Sequence, residues 1–309
     1  MISQIDLNPY EELQQIARSD VTALLGGETG SGKGRLAREI HEMSSRSDGP
    51  FVAVDCAALP ASLFESQLFG YKKGSFTGAT TDRMGLIRSA DGGTLFLDEV
   101  GELTLEQQAK LLTFIQDRSV LPVGDVERVN CDVRLVAATH RDLFAMVEQG
   151  EFREDLFYRL AVIELVVPPL RERMDELKPI VGELILQKAD LLHVPARKPS
   201  KEFIECLHEY GWPGNIRELG NVLERSLVLS RGDYLEPRTL PRRIRESVDS
   251  TAASSSVAHS RISEHSLRTA IDESQGNKSA AARRLGISRR HLYRVLERFS
   301  IESGVGSHS

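Results

Sequence analysis

Five short, almost uninterrupted apolar runs mark the first half of the chain, at residues 21–25, 51–54, 94–97, 133–138 and 162–167. Stretches of helical periodicity separate most of them. Apolar runs of this length suit strands buried on both faces, as in a parallel sheet covered by helices. The expected fold is therefore α/β, with a mostly parallel sheet over residues 1–169. Residues 1–20 read as a short amphipathic helix, with Leu13, Ile16 and Ala17 at helical spacing. After Pro168 and Pro169 the pattern turns wholly helical. Segments 172–193, 201–210 and 215–229 are each expected to be helical, the last placing Ile216, Leu219, Leu223 and Leu227 on roughly one face. Together they give a helical subdomain over residues 170–246. Residues 247–262 are rich in Ser and Ala without a periodic apolar face and read as a flexible linker. Residues 263–309 return to helical patterning and read as a small all-α domain.

A length of 309 residues accommodates two or three such units. The net charge of −6 is mild but unevenly spread. Residues 261–299 carry about five excess positive charges, which suggests a small nucleic-acid-binding tail on an acidic body. Cys56, Cys131 and Cys206 are scattered, with no C-x-x-C pair, and neither they nor the histidines show metal-ligand spacing. A reduced, cytoplasmic compartment is expected. No apolar run is long enough to span a bilayer, so no membrane partner is expected.

The first apolar run leads directly into Gly27, Glu28, Thr29, Gly30, Ser31, Gly32 and Lys33, after which residues 35–43 are amphipathic. The spacing G-x-x-x-x-G-K between strand and helix is that of a phosphate-binding loop. Its glycines let successive N–H groups converge on one anion, and Lys33 adds a full charge for the β- and γ-phosphates. Gly34 follows where the general pattern has Ser or Thr, so no hydroxyl stands there for magnesium. The run at 94–97 ends in Asp98 and Glu99. At a strand's end beside a phosphate loop, Asp98 can hold Mg2+ through its water shell and Glu99 can orient or deprotonate the attacking water. Two acids after a strand are common, and it is the loop that gives these two meaning.

Three further features stay open on spacing alone. The glycine-punctuated run Gly74, Ser75, Phe76, Thr77, Gly78 and Ala79 presents either a partner surface or a buried aromatic anchor. Arg153 and Arg159, six residues apart on an expected helix, and Arg217 at the start of another are by default salt-bridge or structural residues. In the tail, Asn277 can cap a helix reaching Leu285, Gly286 and Ile287 can form the turn, and Ser288 can cap a second helix. Leu292, Val295, Leu296 and Phe299 would face inward, leaving Arg289, Arg290, His291, Arg294 and Arg298 outside. Helix, tight turn and basic helix make a helix-turn-helix, with Ser288, Arg289, Arg290, His291 and Arg294 as candidate DNA contacts.

Nearly the whole chain resembles the bacterial enhancer-binding proteins, the AAA+ activators of sigma-54 RNA polymerase. The strings that carry the resemblance are GETGSGKG, FGYKKGSFTGA, GGTLFLDEVGEL, VRLVAATHRDL, FREDLFYRL, VPPLRER and WPGNIREL. GSFTGA is the specific one, matching the family's GAFTGA loop with Ser75 for alanine. The tail resembles the factor-for-inversion-stimulation type of helix-turn-helix. The resemblance implies ATP and Mg2+ as ligands, bound by residues 27–34 with Asp98 and Glu99 as the Walker B pair. It makes Thr139 part of the first sensor, Arg217 the second sensor, and Arg153 and Arg159 arginine fingers acting on the neighbouring subunit. Gly74 to Ala79, through Phe76 and Thr77, would touch sigma-54. The implied assembly is a homo-oligomeric ring, commonly a hexamer, bound to double-stranded DNA at upstream sites.

Three positions depart from the family pattern. Gly34 replaces a usual Glu that is no obvious phosphate ligand, and His140 replaces a frequent Asn at the first sensor. Asp55 replaces an Asn that in relatives restrains the catalytic glutamate, and is expected to lie beside Glu99 or to point to solvent. No receiver or ligand-sensing domain precedes the phosphate loop, which leaves constitutive activity, control by a separate regulatory protein, or a truncated gene product as readings. The competing function is a DNA-binding regulator that uses the AAA+ domain only as a nucleotide-sensing scaffold. That reading predicts decay of the phosphate loop, Glu99 or GSFTGA, and none is decayed.

Overall fold

The computed structural model describes residues 9–246 and, beyond them, only Ser274. The expected linker and the helix-turn-helix, with Ser288, Arg289, Arg290, His291 and Arg294, lie outside the described residues, as do residues 1–8. The chain divides into two compact units, one holding the residues up to Leu177 together with Trp212–Asn221, the other Lys178–Gly211 and the residues from Val222 onward.

The first unit is built on a five-stranded, all-parallel sheet. Its strands are β1 (Ala23–Gly26), β2 (Phe51–Asp55), β3 (Thr94–Asp98), β4 (Arg134–Thr139) and β5 (Ile163–Val166), in the spatial order β2-β3-β4-β1-β5. Each coincides with one of the five apolar runs. Alternate residues of the inner strands enter separate cores on the two faces, as a period of two requires. Leu24, Leu95, Leu97, Leu135 and Ala137 join the larger core. Leu25, Phe96, Val136 and Ala138 join Ala37 and Ile40 of helix α2 (Lys33–Glu42) on the other face. The expected N-terminal helix is α1 (Pro9–Arg18), shorter than 1–20 as described. Buried Arg134 closes it, donating from Nη1 to Ala17 O (2.5 Å) and from Nη2 to Ile16 O (2.7 Å), a carbonyl that also accepts from the Ser19 hydroxyl (2.8 Å).

Register decides what meets at the carboxyl ends of the strands. Gly26 is level with Thr139, and Asp55 with Asp98. The phosphate loop, the two acids and the first-sensor segment therefore emerge from one end of the sheet, where open α/β sheets bind ligands. Helix α3 (Ala61–Leu68) follows β2. Helix α4 (Leu105–Asp117) follows β3, started by a reciprocal capping box in which Thr104 Oγ1 accepts from the Gln107 N–H (3.4 Å) and Gln107 Oε1 accepts from the Thr104 N–H (2.8 Å). Helices α5 (Leu143–Glu148) and α6 (Glu154–Leu160) lie between β4 and β5.

Two short antiparallel ladders project from this body. Gly70–Tyr71 pairs with Arg83–Met84, and Ser119–Val120 with Val129–Asn130. The second unit contains nearly all of helix α7 (Leu177–Leu191), helix α8 (Lys201–His208) and the later turns of helix α9 (Asn215–Leu229). Ser200 caps α8, its Oγ accepting from the Phe203 N–H (3.1 Å). Phe203, Leu207, Val222, Leu223, Leu227 and Leu235 are buried, and Lys188 pairs with Glu224 at 2.6 Å. Among the described residues no helix is long and apolar enough to cross a membrane.

Candidate active site

The loop from Gly27 to Gly32 folds tightly because three of its residues adopt positive φ: Gly27 (147°), Gly30 (77°) and Gly32 (108°). At Gly30 space forbids a side chain as well. A β-carbon there would stand 2.6 Å from Gly214 O and 2.9 Å from Arg217 Cβ. The loop is thereby laid against the first turn of α9, and the Ile216 N–H donates to Gly30 O at 2.9 Å. Lys33 opens α2 and is 5% exposed. Its Nζ donates to Gly27 O (2.8 Å) and Glu28 O (3.3 Å) and lies 3.8 Å from Glu99 Oε1. A β-carbon at Gly34 would make only ordinary contact with Phe96, at 3.7 Å.

Glu28 is held from outside the loop. Arg171 donates from Nη1 to its Oε2 (2.9 Å) and from Nη2 to its Oε1 (2.6 Å), while Asn215 Nδ2 donates to Oε2 (3.0 Å) and to Thr29 O (3.2 Å). The Arg171 hydrogen bond, followed by that of Asn215, lowers the Glu28 carboxyl to about 2. Arg173 Nη2 donates to Ser31 O. Ser31 Oγ is fully buried with no hydrogen-bond partner among the described residues. A buried hydroxyl without a partner, inside a glycine cradle that ends in a lysine, suits a bound polyphosphate. Arg171, Arg173 and Asn215 escaped the reading of individual residues. Their signal was a double proline followed by two arginines, and an Asn at the first position of a helix, which here takes the left-handed conformation (φ 51°).

Asp98 ends β3 at the same mouth, and Glu99 follows it. Burial raises the Asp98 carboxyl above its usual range, and the Glu99 charge adds to the effect. For Glu99 burial acts upward too, but hydrogen bonds from the His140 side chain and backbone, with the Lys33 charge, outweigh it and leave the carboxyl below its ordinary value. His140 Nδ1 stands 2.7 Å from Glu99 Oε2, and the His140 N–H donates to the same oxygen at 3.1 Å. Thr139 is buried, its Oγ1 accepting from the Arg141 N–H at 3.0 Å.

Of the two readings of Asp55, beside Glu99 or toward solvent, the structure shows the exposed one. Its Oδ1 accepts from the Ala57 N–H (3.0 Å) and the Ala58 N–H (3.2 Å), closing the turn after β2. The glutamate is held from the opposite neighbour strand instead. Arg153 is not within a helix but immediately precedes α6, without a side-chain cap, and its guanidinium pairs with Asp155 through Nε (3.0 Å) and Nη2 (2.7 Å). Arg159 lies in the last turn of α6 and is exposed. Among the described residues, no hydrogen bond or ion pair joins Arg153 or Arg159 to the phosphate loop, the two acids or His140.

The GSFTGA segment sits away from these groups, within the turn enclosed by the first antiparallel ladder. Gly74 (φ 84°) and Gly78 (φ 102°) bend it, the Gly74 N–H donates to Ala79 O (2.8 Å), and Phe76 is 43% exposed with its ring edge-on to Tyr71. The loop rests on the 119–130 hairpin. The Lys72 N–H donates to Val123 O (3.0 Å), the Val123 N–H to Gly70 O (2.9 Å), and Lys72 Nζ lies 3.6 Å from Asp125. The hairpin tip exposes Val126 at 93%.

A lysine shared between loop carbonyls and a carboxylate, at the mouth of a parallel sheet, is suited to receiving a polyphosphate. Fold and site together define a P-loop nucleotide-binding ATPase of the AAA+ class. Residues 3–166 match the sigma-54 interaction domain, residues 171–257 the AAA+ ATPase lid domain, and residues 262–299 the bacterial regulatory protein, Fis family. The transcriptional regulatory protein ZraR of Escherichia coli strain K12 is 42% identical over 288 residues, covering 93% of this chain and 65% of ZraR. The response regulator protein PilR of Pseudomonas aeruginosa is 43% identical over 304 residues, covering 94% of this chain and 67% of PilR. The crystal structure of NtrX from Brucella abortus in complex with ADP superposes with a TM-score of 0.71 at 31% identity, covering 94% of this chain and 67% of that one. The chain thus spans about two thirds of the length of these relatives. It belongs to the family of sigma-54-dependent transcriptional regulators, the bacterial enhancer-binding proteins.

Proposed function

We propose that this chain is a cytoplasmic, ATP-hydrolysing transcriptional activator. It binds upstream DNA through residues 263–309, assembles into a ring, most simply a hexamer, and uses ATP turnover to remodel sigma-54 RNA polymerase at a closed promoter. The observation that carries the reading is the convergence of Lys33, Asp98 and Glu99 at one sheet end, in a chain that also presents an exposed GSFTGA loop.

Lys33 exchanges the loop carbonyls for the β- and γ-phosphates. Glu99 Oε1, on the Lys33 side, takes a proton from water as the water oxygen bonds to the γ-phosphorus. The bond from that phosphorus to the β–γ bridging oxygen breaks, and ADP leaves. Asp98 would hold Mg2+ through water, and the ion, when bound, neutralises phosphate charge. Arg159 and Arg153 reach a neighbouring subunit's nucleotide, for which Arg153 must leave Asp155. Arg217, beside Gly30, reports nucleotide state along α9. Phe76 and Thr77 meet sigma-54.

The test is ATP turnover as a function of protein concentration, alongside open-complex formation on a sigma-54 promoter. Specific ATPase activity should rise steeply with concentration, and open complexes should require hydrolysable ATP. ATP turnover without any sigma-54-dependent open complex would favour the nucleotide-sensing regulator instead.

A further inference from the structure

The second unit carries a basic recess that takes no part in nucleotide binding or in the GSFTGA loop. Lys198–Pro199 runs parallel to Tyr234–Leu235, which sets Lys198 level with Tyr234. Residues 195–198 and 231–234 together line a recess of about 400 Å³, in which Arg197, Lys198 and Arg231 face a single carboxylate, that of Asp233. Arg197 is the fixed part of it. Its Nε donates to Gly232 O (2.7 Å) and its Nη1 to Leu227 O (2.8 Å), a carbonyl of the last turn of α9. Ser230 Oγ donates to Tyr234 O (2.8 Å) and closes the turn on the other side. Lys198 and Arg231 are exposed, and among the described residues neither forms a hydrogen bond or an ion pair, although Asp233 lines the same recess.

Other cations of this unit are paired: Lys188 with Glu224, Lys201 with Glu205, Arg238 with Glu236 and Arg242 with Glu246. Three cations against one acid leave the recess with a formal excess of two positive charges, and a concave wall concentrates that field on an entering anion. Tyr234, 56% exposed, adds an aromatic face. Two free cationic donors beside a fixed guanidinium suit the phosphates and sugars of a nucleic-acid backbone, contacts that position a protein without reading bases. The chain itself supplies the source. Residues 262–299 match the Fis-family reader, and only residues 247–261, fifteen in all, separate them from Glu246 of the lid. Fifteen residues span at most about 50 Å, so a duplex gripped by the reader is presented to the lid at high local concentration. We propose that the recess of Arg197, Lys198, Arg231 and Tyr234 is a second DNA-contacting surface, which takes phosphates of the duplex flanking the site bound by the helix-turn-helix. This rests on the DNA-binding reading above. The recess adds affinity and salt dependence, and leaves the choice of sequence to the helix-turn-helix.

The test is binding of the full chain to a fluorescent duplex of mixed sequence and about 50 base pairs, long enough for the reader and the flanks its tether reaches, titrated between about 50 and 200 mM KCl. Chains bound per duplex are counted by analytical ultracentrifugation. The proteins are wild type, the double variant Lys198→Ala with Arg231→Ala, the charge-preserving double variant Lys198→Arg with Arg231→Lys, and Lys188→Ala. Arg197 is left in place, because truncating it would strip Leu227 O and Gly232 O of their donor. Each phosphate contact contributes about 0.9 to the slope of log affinity against log salt. The double Ala variant should therefore lose about two from that slope per chain bound, and at least about tenfold in affinity at 0.1 M salt. The charge-preserving variant should keep the wild-type slope. Lys188→Ala, whose charge Glu224 already neutralises, should bind within about twofold of wild type. ATP turnover and Tm should be unchanged in the double Ala variant, since both side chains are exposed and unpaired.

A double Ala variant that binds within about twofold of wild type and with an unchanged slope overturns the proposal and leaves the helix-turn-helix reading standing. So does an equal loss in Lys188→Ala, which would make the effect one of net charge, or a charge-preserving variant as weak as the Ala one. DNA binding kept intact while open-complex formation on a sigma-54 promoter is lost would give the recess to an acidic protein surface, and overturns it too. A wild-type chain that binds no duplex even at the lowest salt defeats the DNA-binding reading as well.

Discussion

Gly124 offers a way to dislodge the GSFTGA loop without touching the nucleotide site. It lies at φ 80°, and a β-carbon there would stand 2.5 Å from Ser75 Cβ and 3.3 Å from Ser75 Cα. Gly124→Ala therefore acts twice. The left-handed backbone costs a non-glycine residue about 1–2 kcal/mol. Carbon atoms in contact prefer about 3.5–4.0 Å, so the loop must lift from the hairpin by about 1 Å. Gly74 and Gly78 have open space around them, so the loop yields rather than the fold. Total destabilisation should be about 1–3 kcal/mol, which for a chain of this size lowers Tm by about 2–4 °C per kcal/mol. ATP turnover should be unchanged, whereas open-complex formation on a sigma-54 promoter should fall about ten- to a hundredfold, because the loop tip is misplaced. Ser75→Gly removes the colliding carbon. In the double variant most of the steric part should vanish, only the 3.3 Å approach to the Ser75 Cα position remaining beside the backbone cost, with a coupling of about 1 kcal/mol by thermal or denaturant unfolding. Additive effects in that cycle, or a Gly124→Ala protein with normal promoter activity, would refute the argument that the loop is seated on this glycine.

Glu99→Gln should bind ATP with wild-type affinity and turn it over at under about one part in a hundred of the normal rate; near-normal turnover would remove Glu99 from the chemistry. Mixing Arg159→Ala with Lys33→Ala chains should restore part of the activity lost by each, through interfaces that combine one intact arginine with one intact loop, and mixed rings without rescue would count against action between subunits. Asp55→Asn should leave the acid limb of the turnover profile where it was, since the Asp55 carboxylate serves its own turn. The Glu99 carboxyl lies below its ordinary 4.5, so its base form persists as pH falls and is lost only below that value; an acid limb that moves with Asp55→Asn would show the two carboxylates to be coupled after all.

The five strands and the helices of the lid were legible because each is an apolar run or a 3.6-residue stripe long enough to stand out. The phosphate loop was legible because its glycines and lysine have fixed spacing. What the pattern could not carry were the two-residue ladders at 70–71 with 83–84 and 119–120 with 129–130, too short to show alternation. Nor could it show which neighbour holds Glu99. Asp55 ends one strand beside β3 and His140 follows the end of the other, and only the register and the local turns decide between them. The Asx-type turn at Asp55 competes for its carboxylate, which a reading based on position alone passes over. Arg171 and Arg173 were hidden differently, since nothing local to a proline-flanked segment says that its guanidiniums reach back more than a hundred residues to Glu28 and Ser31.

The seating of the GSFTGA loop on the 119–130 hairpin has a thermodynamic corollary. The chain runs from Glu99 through α4 into that hairpin and returns through β4 to Thr139 and His140, so the hairpin is spliced between the two segments that meet where His140 contacts Glu99. If ATP and ADP favour different seatings of the loop, linkage requires the converse with the same free energy: whatever clasps Phe76 must change the relative affinities for ATP and ADP. A partner on the loop is then an effector of nucleotide exchange as well as a recipient of work. The size of that effect, read as a shift in the ratio of the two nucleotide affinities, sets an upper limit on how much each binding step can bias the loop.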